Sequence, residues 1–538
     1  MSRRPRGSPS WAPRSTTETT RWTEGMGAEG TRAMQDSFDF IVIGSGSGGA
    51  PVARRLAEAG AEVLVLEAGR DPKGVREIED PSCWFGLQRS IWDWAHDYAP
   101  APEVLGRTIA IPRGKAVGGS SATNAMMWYR GTPADYARWD AEAPGWSFDD
   151  CLPFIRRAED WAGGATHLRG VGGPLSIERS STEHPLTRAM LAGGRAMGLP
   201  ELADPNGPEP LGVALGNFNL KDGRRWTSAD GYLRPMLGRG VTLLPETRAL
   251  GLIFTGDRAT GVETTAGRFT ARRGVILAAG AFETPRLLTL AGIGPEAELA
   301  RLGLACRVRA EGVGQNLQDH PLLRALNFRL TEPFGPMQGN GGGTLTIWKS
   351  DASLPEADLL AFPIQGRSGV PALMEHYRLP DQGPLFAIGL GVMRSWSRGR
   401  LRLTGTGVDD PLDIRPGLLT DPRDLAAMKR GVEAMLDMVT GPAFAGLFAG
   451  FAAPEGRLAG DALDTFVRRG CSTFFHCCGT ARMGASDEAP VTPRLAVRGT
   501  RGLWVADASV IPVIPACHTH APVTLIGERA ATFILEDA

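Results

Sequence analysis

No run in this chain approaches eighteen consecutive apolar residues, so nothing in it reads as a membrane-spanning helix. Neither sign of charge is in excess. Lys and Arg number 58 against 59 Asp and Glu, a formal net charge of -1, which excludes the bulk basic field that attracts nucleic acid or an anionic membrane surface. Cysteine is sparse: Cys83, Cys151, Cys306, Cys471, Cys477, Cys478 and Cys517 are odd in number and widely scattered, which argues against a disulfide framework. Residues 1–35 are rich in Arg, Ser and Thr but lack an apolar core, so they do not make a secretory signal. They read as a disordered extension, with Met34 as an alternative first residue, and the default compartment is the cytoplasm. No internal repeat is present. What is abundant is glycine, 70 of 538 residues, about twice average usage. Without a collagen period, that excess belongs in turns where backbone closely approaches a partner. A chain of this length also calls for two or more domains.

The first ordered pattern is Phe38-Asp39-Phe40-Ile41-Val42-Ile43, a buried strand by its aromatic and β-branched content. Gly44-Ser45-Gly46-Ser47-Gly48-Gly49 follows at once, then Ala50, Ala53, Leu56 and Ala57 at helical spacing, with Gly60 as the stop. Glu62–Leu66 makes a second strand with Glu67 at its carboxyl end. This is the context a G-x-G-x-x-G pattern needs to count as a dinucleotide fingerprint. Gly44 permits the tight turn, Gly46 lets the backbone approach a pyrophosphate, and Gly49 allows helix–strand packing, with the helix amino-terminus facing phosphate charge. Glu67 follows Gly44 by 23 residues, where a carboxylate binds ribose hydroxyls and disfavours a 2′-phosphate. A second match, Gly292–Ala297, is preceded by a helix-like stretch around Pro285, Leu287, Leu288 and Leu290 rather than by a strand, so one dinucleotide is expected, not two. Further strands are expected at Thr108–Ile111, Val275–Leu277, Leu401–Leu403 and Leu503–Ala506. An amphipathic helix is expected over Leu425–Val439, and a loop tip or lid at the glycine cluster 339–343.

Four blocks in order resemble the glucose–methanol–choline (GMC) flavoprotein oxidoreductases. They are the first turn with Glu67-Ala68-Gly69; the loop Gly114–Asn124; Gly280-Ala281-Phe282-Glu283-Thr284-Pro285 through Gly294; and His476-Cys477-Cys478-Gly479-Thr480 through His520-Ala521-Pro522. The resemblance implies an α/β protein: a discontinuous Rossmann-like FAD-binding domain (36–175, 226–318, 470–538) with an inserted α+β substrate domain on an antiparallel sheet (176–225, 319–469). It implies FAD as cofactor, bound by Gly44, Ser45, Gly46, Ser47, Gly48, Gly49, Glu67, Ala68, Trp94, Val117, Gly118, Ser121, Asn124, Ala125, Asp507, Ala508, Thr519 and Ala521. In that family the 114–124 loop lies against the isoalloxazine, and some members carry at the Thr123 position a His that bonds the flavin covalently. Threonine does not, so the FAD is expected to be non-covalent. Asp507, at the end of a strand, is similar to the family residue near the ribityl and phosphate portion, and it also suits a helix N-cap. Ala291, Thr123 and Ala481 depart from the family pattern, none of them at a catalytic position.

Of eight histidines, His476, His518 and His520 fall in the last 63 residues. Alcohol oxidation removes a hydroxyl proton as hydride leaves carbon, so a base titrating near neutrality is needed. By resemblance His476 is that base and His520 its partner, hydrogen-bonding the alcohol oxygen and steadying alkoxide charge; His518 is a neighbour. The nearby Cys477, Cys478 and Cys517 lack the ligand spacing of a zinc site, and no metal is expected. Phe334, Phe362, Phe386, Trp396, Phe444, Phe448, Phe474 and Phe475 are candidates for an apolar pocket, most of them ordinary core. The expected reaction converts an alcohol, chiefly a primary one, aliphatic or aromatic, to an aldehyde or ketone, with oxygen or another acceptor as second partner. The rivals are an FAD-containing hydroxynitrile lyase, a non-catalytic flavin-binding protein and an NAD-dependent dehydrogenase.

Overall fold

Two sheets organise the chain. A computed structural model describes residues 36–381 and 383–537; the expected extension, residues 1–35, lies outside the described residues. The first sheet is built on β1 (Ser37–Ile43), which is followed by α1 (Gly49–Glu58) and β2 (Val63–Leu66). β1 pairs in parallel with β2 on one side and with the strand Gly267–Leu277 on the other, and Val241–Leu244 extends the sheet beyond β2. Gly267–Leu277 is long enough to serve two neighbours. Its start pairs antiparallel with Arg258–Thr264 and its end pairs in parallel with Leu503–Val505.

The parallel strands therefore deliver Gly44, Glu67, Ala278 and Asp507 to one edge, since each lies just past a strand's carboxyl end. That edge is where open α/β sheets bind ligands. Four strands meet there because β1, β2 and Gly267–Leu277 are almost wholly apolar where they pair, which suits strands covered on both faces.

The second sheet runs Phe448–Ala453, Pro321–Leu330, Leu385–Val392, Leu359–Ile364, Thr344–Trp348, Gly212–Leu215 and Glu201–Leu202, with Cys471–Thr473 also on Pro321–Leu330. It is antiparallel except for its last pair, Glu201–Leu202 on Gly212–Leu215. Its two faces are sorted by the period-2 rule. Along Leu359–Ile364, Leu359 and Ala361 join the core under the helices Pro185–Ala196 and Pro422–Thr440, whereas Leu360, Phe362 and Ile364 face the other way. Those opposite-facing residues, with Trp84, Met126, Met127, Leu322 and Phe474, form a smaller apolar cluster against the first sheet's loops. Both sheets lie in one compact unit, Ser37–Ala538.

The amphipathic stretch expected at Leu425–Val439 is the helix Pro422–Thr440, capped by the Asp421 carboxylate on the Arg423 N–H at 3.0 Å. The second glycine pattern does follow a helix, Gly280–Leu290, and Ile293–Gly294 only makes a two-residue strand. The 339–343 cluster is a loop held over the apolar cluster, with Trp84 Nε1 donating to Asn340 O (2.9 Å) and Asn340 Nδ2 donating to Ala125 O (2.6 Å).

Candidate active site

At the amino-terminal turn the backbone does the shaping. Gly44 has φ +103, and a Cβ there would fall 2.3 Å from the Ala278 carbonyl oxygen, so no other residue fits. A Cβ on Gly46 would meet only Gly119 Cα, at 3.6 Å, which leaves that backbone face open to the cavity. Glu67 accepts from the Ser45 N–H (3.1 Å), the Ser45 hydroxyl (2.6 Å) and the Gly69 N–H (2.9 Å). Three bonds leave one acceptor position on the carboxylate for a ribose hydroxyl. The Ser45 oxygen in turn accepts from the Gly118 N–H at 3.0 Å, tying the turn to the 114–124 loop. Asp507 caps two elements at once, accepting from Ser509 N, Gly280 N and the Thr284 hydroxyl. Burial raises the proton affinity of both carboxylates against these bonds.

One cavity runs from this turn to the apolar cluster of the second sheet. Of the expected site residues, Gly44, Gly46, Ser47, Gly48, Glu67, Ala68, Trp94, Asn124, Ala125, His476, Asp507, Ala508, Thr519 and His520 line it. Ser45, Gly49, Val117, Gly118, Ser121 and Ala521 stand behind that wall. Ser45 and Gly118 hold the two loops together, Val117 is core, and the Ser121 hydroxyl bridges Gly118 O and Ser228 N. Trp94 lies between the Lys115 ammonium (4.8 Å) and the Arg248 guanidinium (4.9 Å). Among the eight aromatic candidates Phe362, Phe474 and Phe475 reach the cavity. Phe386, Phe444 and Phe448 pack on the helix-facing side of the second sheet with Phe334, and Trp396 is exposed.

His476 follows the strand Cys471–Thr473 through Phe475, whose φ of +66 is unusual for a bulky residue. That conformation is fixed by the Phe475 N–H on the Thr473 hydroxyl (2.7 Å) and by Arg113 Nη2 donating to Phe475 O (2.6 Å). The His476 N–H is held by the buried Asp319 carboxylate at 2.9 Å, and its Nδ1 lies 2.8 Å from Nδ1 of His320. The short Nδ1–Nδ1 contact requires one ring to donate and the other to accept, and the His320 Nε2 has no partner among the described residues. With His320 accepting, His476 donates from Nδ1 and presents an unprotonated Nε2.

His520 starts the last helix and is anchored at Nδ1 by the Ser47 hydroxyl, 2.7 Å away. Its Nε2 is buried without a partner among the described residues. With Ser47 donating, that nitrogen carries the proton. In that arrangement the two histidines carry opposite equipment, an acceptor on His476 and a donor on His520. His518 lies edge-on to His476 (5.1 Å) and Phe474 (5.3 Å), with neither ring nitrogen bonded. Burial pushes His520 down to about 4 and His518 to about 3; on His476, burial together with His320, His518 and Arg113 holds the proton affinity well below the usual range. All three are neutral at pH 7.

Sequence reasoning missed the supports, Asp319, His320, Arg113 and Ser47's tie to His520. The Asp319-His320 pair just ahead of the strand Pro321–Leu330 was the available signal. The thiols separate: Cys477 meets the Tyr98 hydroxyl at 2.8 Å in the second sheet's core, Cys478 joins the first core, and Cys517 the cavity-side cluster. Among the described residues no three His, Cys, Asp or Glu side chains are placed to hold a metal ion.

The residues present fit a flavin dinucleotide on two observations. The open Gly46 face offers unblocked backbone at the turn. Asn124 Oδ1 already accepts from Met126 N (2.9 Å) and Arg225 Nη1 (3.0 Å), so its Nδ2, which bonds no described residue, is the donor left to the cavity.

Comparisons with known proteins agree. Family models described as GMC oxidoreductase match residues 38–322 and 395–527. An oxygen-dependent choline dehydrogenase of Brucella anthropi is 33% identical over 525 residues, 92% of this chain and 95% of that protein. An uncharacterized GMC-type oxidoreductase of Mycobacterium bovis is 35% identical over 93% of this chain and 100% of its own. The crystal structure of pyridoxine 4-oxidase from Mesorbium loti superposes with a TM-score of 0.88 at 31% identity, covering 92% of this chain and 98% of that one.

Proposed function

The chain belongs to the GMC oxidoreductase family, FAD-dependent enzymes acting on CH–OH donors, and on that premise we propose that it oxidises a primary alcohol, aliphatic or aromatic, to the carbonyl compound with His476 as base and His520 as hydrogen-bond donor. The observation that carries this reading is the pair of imidazoles on the cavity wall, each held at Nδ1 by a different partner, His320 for His476 and Ser47 for His520. Bound FAD supplies the two-electron acceptor. The Gly44–Gly48 turn, Glu67 and Ala68 would hold its dinucleotide portion, and the 119–125 loop with Asp507, Ala508 and Thr519 would hold the rest.

His476 Nε2 takes the hydroxyl proton of the alcohol. Because burial keeps the ring neutral, the base is in its working form throughout the neutral range. The His520 Nε2–H donates to the alcohol oxygen and stabilises the alkoxide character that grows as the proton leaves. Asp319 and His320 hold the His476 ring in register, and Phe474, 4.6 Å from it, shields the site from water. Thr123 carries no nucleophilic ring at the flavin loop, which supports a non-covalent cofactor; oxygen serves as one second acceptor.

Anaerobic mixing with a panel of aliphatic and aromatic alcohols tests this. His476→Ala is expected to keep its flavin absorbance, to release that flavin on unfolding as the parent does, and to reduce it at a rate about 10²- to 10⁴-fold slower. Reduction at the parent rate would remove His476 as base. Cyanohydrin cleavage with no bleaching by any alcohol would replace oxidation by the lyase reaction.

A further inference from the structure

The strand Pro321–Leu330 is apolar except where Arg324 and Asn327 interrupt it and at its exposed Arg329. Leu322 and Arg324 face the cavity while Leu323 and Ala325 face the helices. The pairing with Leu385–Val392 then slips between Leu323 and Leu326, so that Leu326, Phe328 and Leu330 take over the helix side. Such an irregularity re-aims side chains, and Arg324 is the last residue sent into the cavity before the phase changes. It sits between the pairs Leu323↔Leu390 and Leu326↔Ile388, beside Gly389, over which the Phe362 ring lies. Phe362 is stacked on Phe474, and Phe474 packs on His476 and His518. This is the apolar end of the cavity, remote from the glycine turn.

Arg324 makes no hydrogen bond or ion pair with any described residue. A guanidinium brings five donors, and Arg324, half-buried on an apolar cavity wall, meets no anion of the protein there. Burial alone pushes Arg324 down to about 10. No acid of the cavity wall answers it. Glu67 and Asp507 are bonded as described, Asp93 accepts from Arg89 N, Ala95 N and Arg113 N, and Glu283 pairs with Arg248 and Arg286. A second orphan lies on the same wall. Ser368, held to this strand by Asn327 through its own N–H (2.9 Å) and C=O (2.6 Å), has a buried Oγ with no partner. From Arg324 the wall continues through Phe362 and Phe474 to His476 and His518.

We propose that Arg324, with Ser368, receives the carboxylate of the substrate, and that the substrate is a hydroxymethyl-bearing aromatic acid whose ring lies among Phe362, Phe474 and Phe475. This deepens the alcohol-oxidation reading and rests on it for the role of the hydroxymethyl group.

The test separates the two by using ligands that have no alcohol. Calorimetric titration of the holoenzyme with 4-methylbenzoate and with 4-methylbenzamide is expected to show the carboxylate binding about 10- to 100-fold more tightly. Arg324→Met is expected to erase that preference at unchanged flavin content, and Arg324→Lys to restore part of it. Equal binding of the two ligands by the parent overturns the proposal even if no variant folds. So does a preference that survives in Arg324→Met, and so does loss of flavin in that variant, which would give Arg324 to the cofactor. If the Arg324-dependent preference is present but no alcohol bleaches the flavin, the oxidation reading falls and the anion site stands; bleaching without the preference is the reverse.

Discussion

The two ends of the cavity are finished differently. At the glycine turn nearly every polar group already has a protein partner: Glu67 and Asp507 each accept three hydrogen bonds, and the turn and flavin loop are tied through Ser45 and Gly118. At the other end His518, His520 and Ser368 keep buried groups with no described partner, and the half-buried Arg324 lines the same wall without one. Buried polar groups are normally paired, so the unpaired end is where a ligand must complete the structure. The paired end is a rigid cradle shaped mainly by backbone; the unpaired end is a reactive surface made of side chains. The first is set by steric fit and fails abruptly, whereas the second is set by hydrogen bonding and fails by degrees.

The largest effect is therefore expected in the cradle. Gly44→Ala puts a Cβ 2.3 Å from the Ala278 oxygen at φ +103, and both objections are to backbone that does not move aside. The left-handed conformation alone costs about 1–2 kcal/mol, and the clash displaces the edge of the first sheet. The variant should be purified without flavin and melt well below the parent. Full flavin content in that variant would mean that the turn is not what holds the dinucleotide.

This difference also decides what was legible beforehand. The cradle is local: strand, Gly44–Gly49, helix, strand and Glu67 lie within 30 residues, and each glycine's role follows from its place in the turn. His476 and His520 were reachable because their motifs are contiguous. Their supports were not, because His320 meets His476 only when Pro321–Leu330 and Cys471–Thr473 pair, 156 residues apart in sequence. Arg324 stood in plain view inside an apolar strand, but its direction depends on a register slip that no local pattern announces. Val117, Gly118 and Ser121 show the converse, since their block matched while the fold put them behind the wall.

Acid sharpens the comparison next. His96 and His520 are pushed down to about 4, His320 and His518 to about 3, and His476 also lies well below 6.5. Below pH 6.5 the unfolded chain binds protons that the folded one refuses, so stability is full above pH 6.5 and falls as pH drops toward 4, by about 1.4 kcal/mol per unit for each group. The raised carboxylates Glu67, Asp319 and Asp507 act oppositely. The stability they add is lost as pH rises through their raised folded values, opposite to the histidine trend. Five groups against three leave the histidine trend in command, so stability falls on acidification. Melting temperature should fall steadily from pH 6.5 to 4.5. A flat profile would show that the histidine end is already wet and charged.

The smallest effect is expected where the two ends touch. Ser47 belongs to the glycine turn by sequence, yet its hydroxyl is spent on Nδ1 of His520, so it serves the chemistry and not the cradle. With Ser47 as donor to Nδ1, Ser47→Ala removes the partner that keeps the proposed donor proton on His520 Nε2. The ring stays in place, because it packs edge-on to Trp128 at 5.5 Å and heads a buried helix. What is lost is one hydrogen bond that selects a tautomer, on the order of 1 kcal/mol. Anaerobic stopped-flow should therefore show flavin reduction slowed by about three- to tenfold, with flavin content and melting temperature close to those of the parent. A rate equal to the parent's would mean that His520 donates without help from the turn. Loss of the flavin would return Ser47 to the cradle and erase the boundary drawn between the two ends.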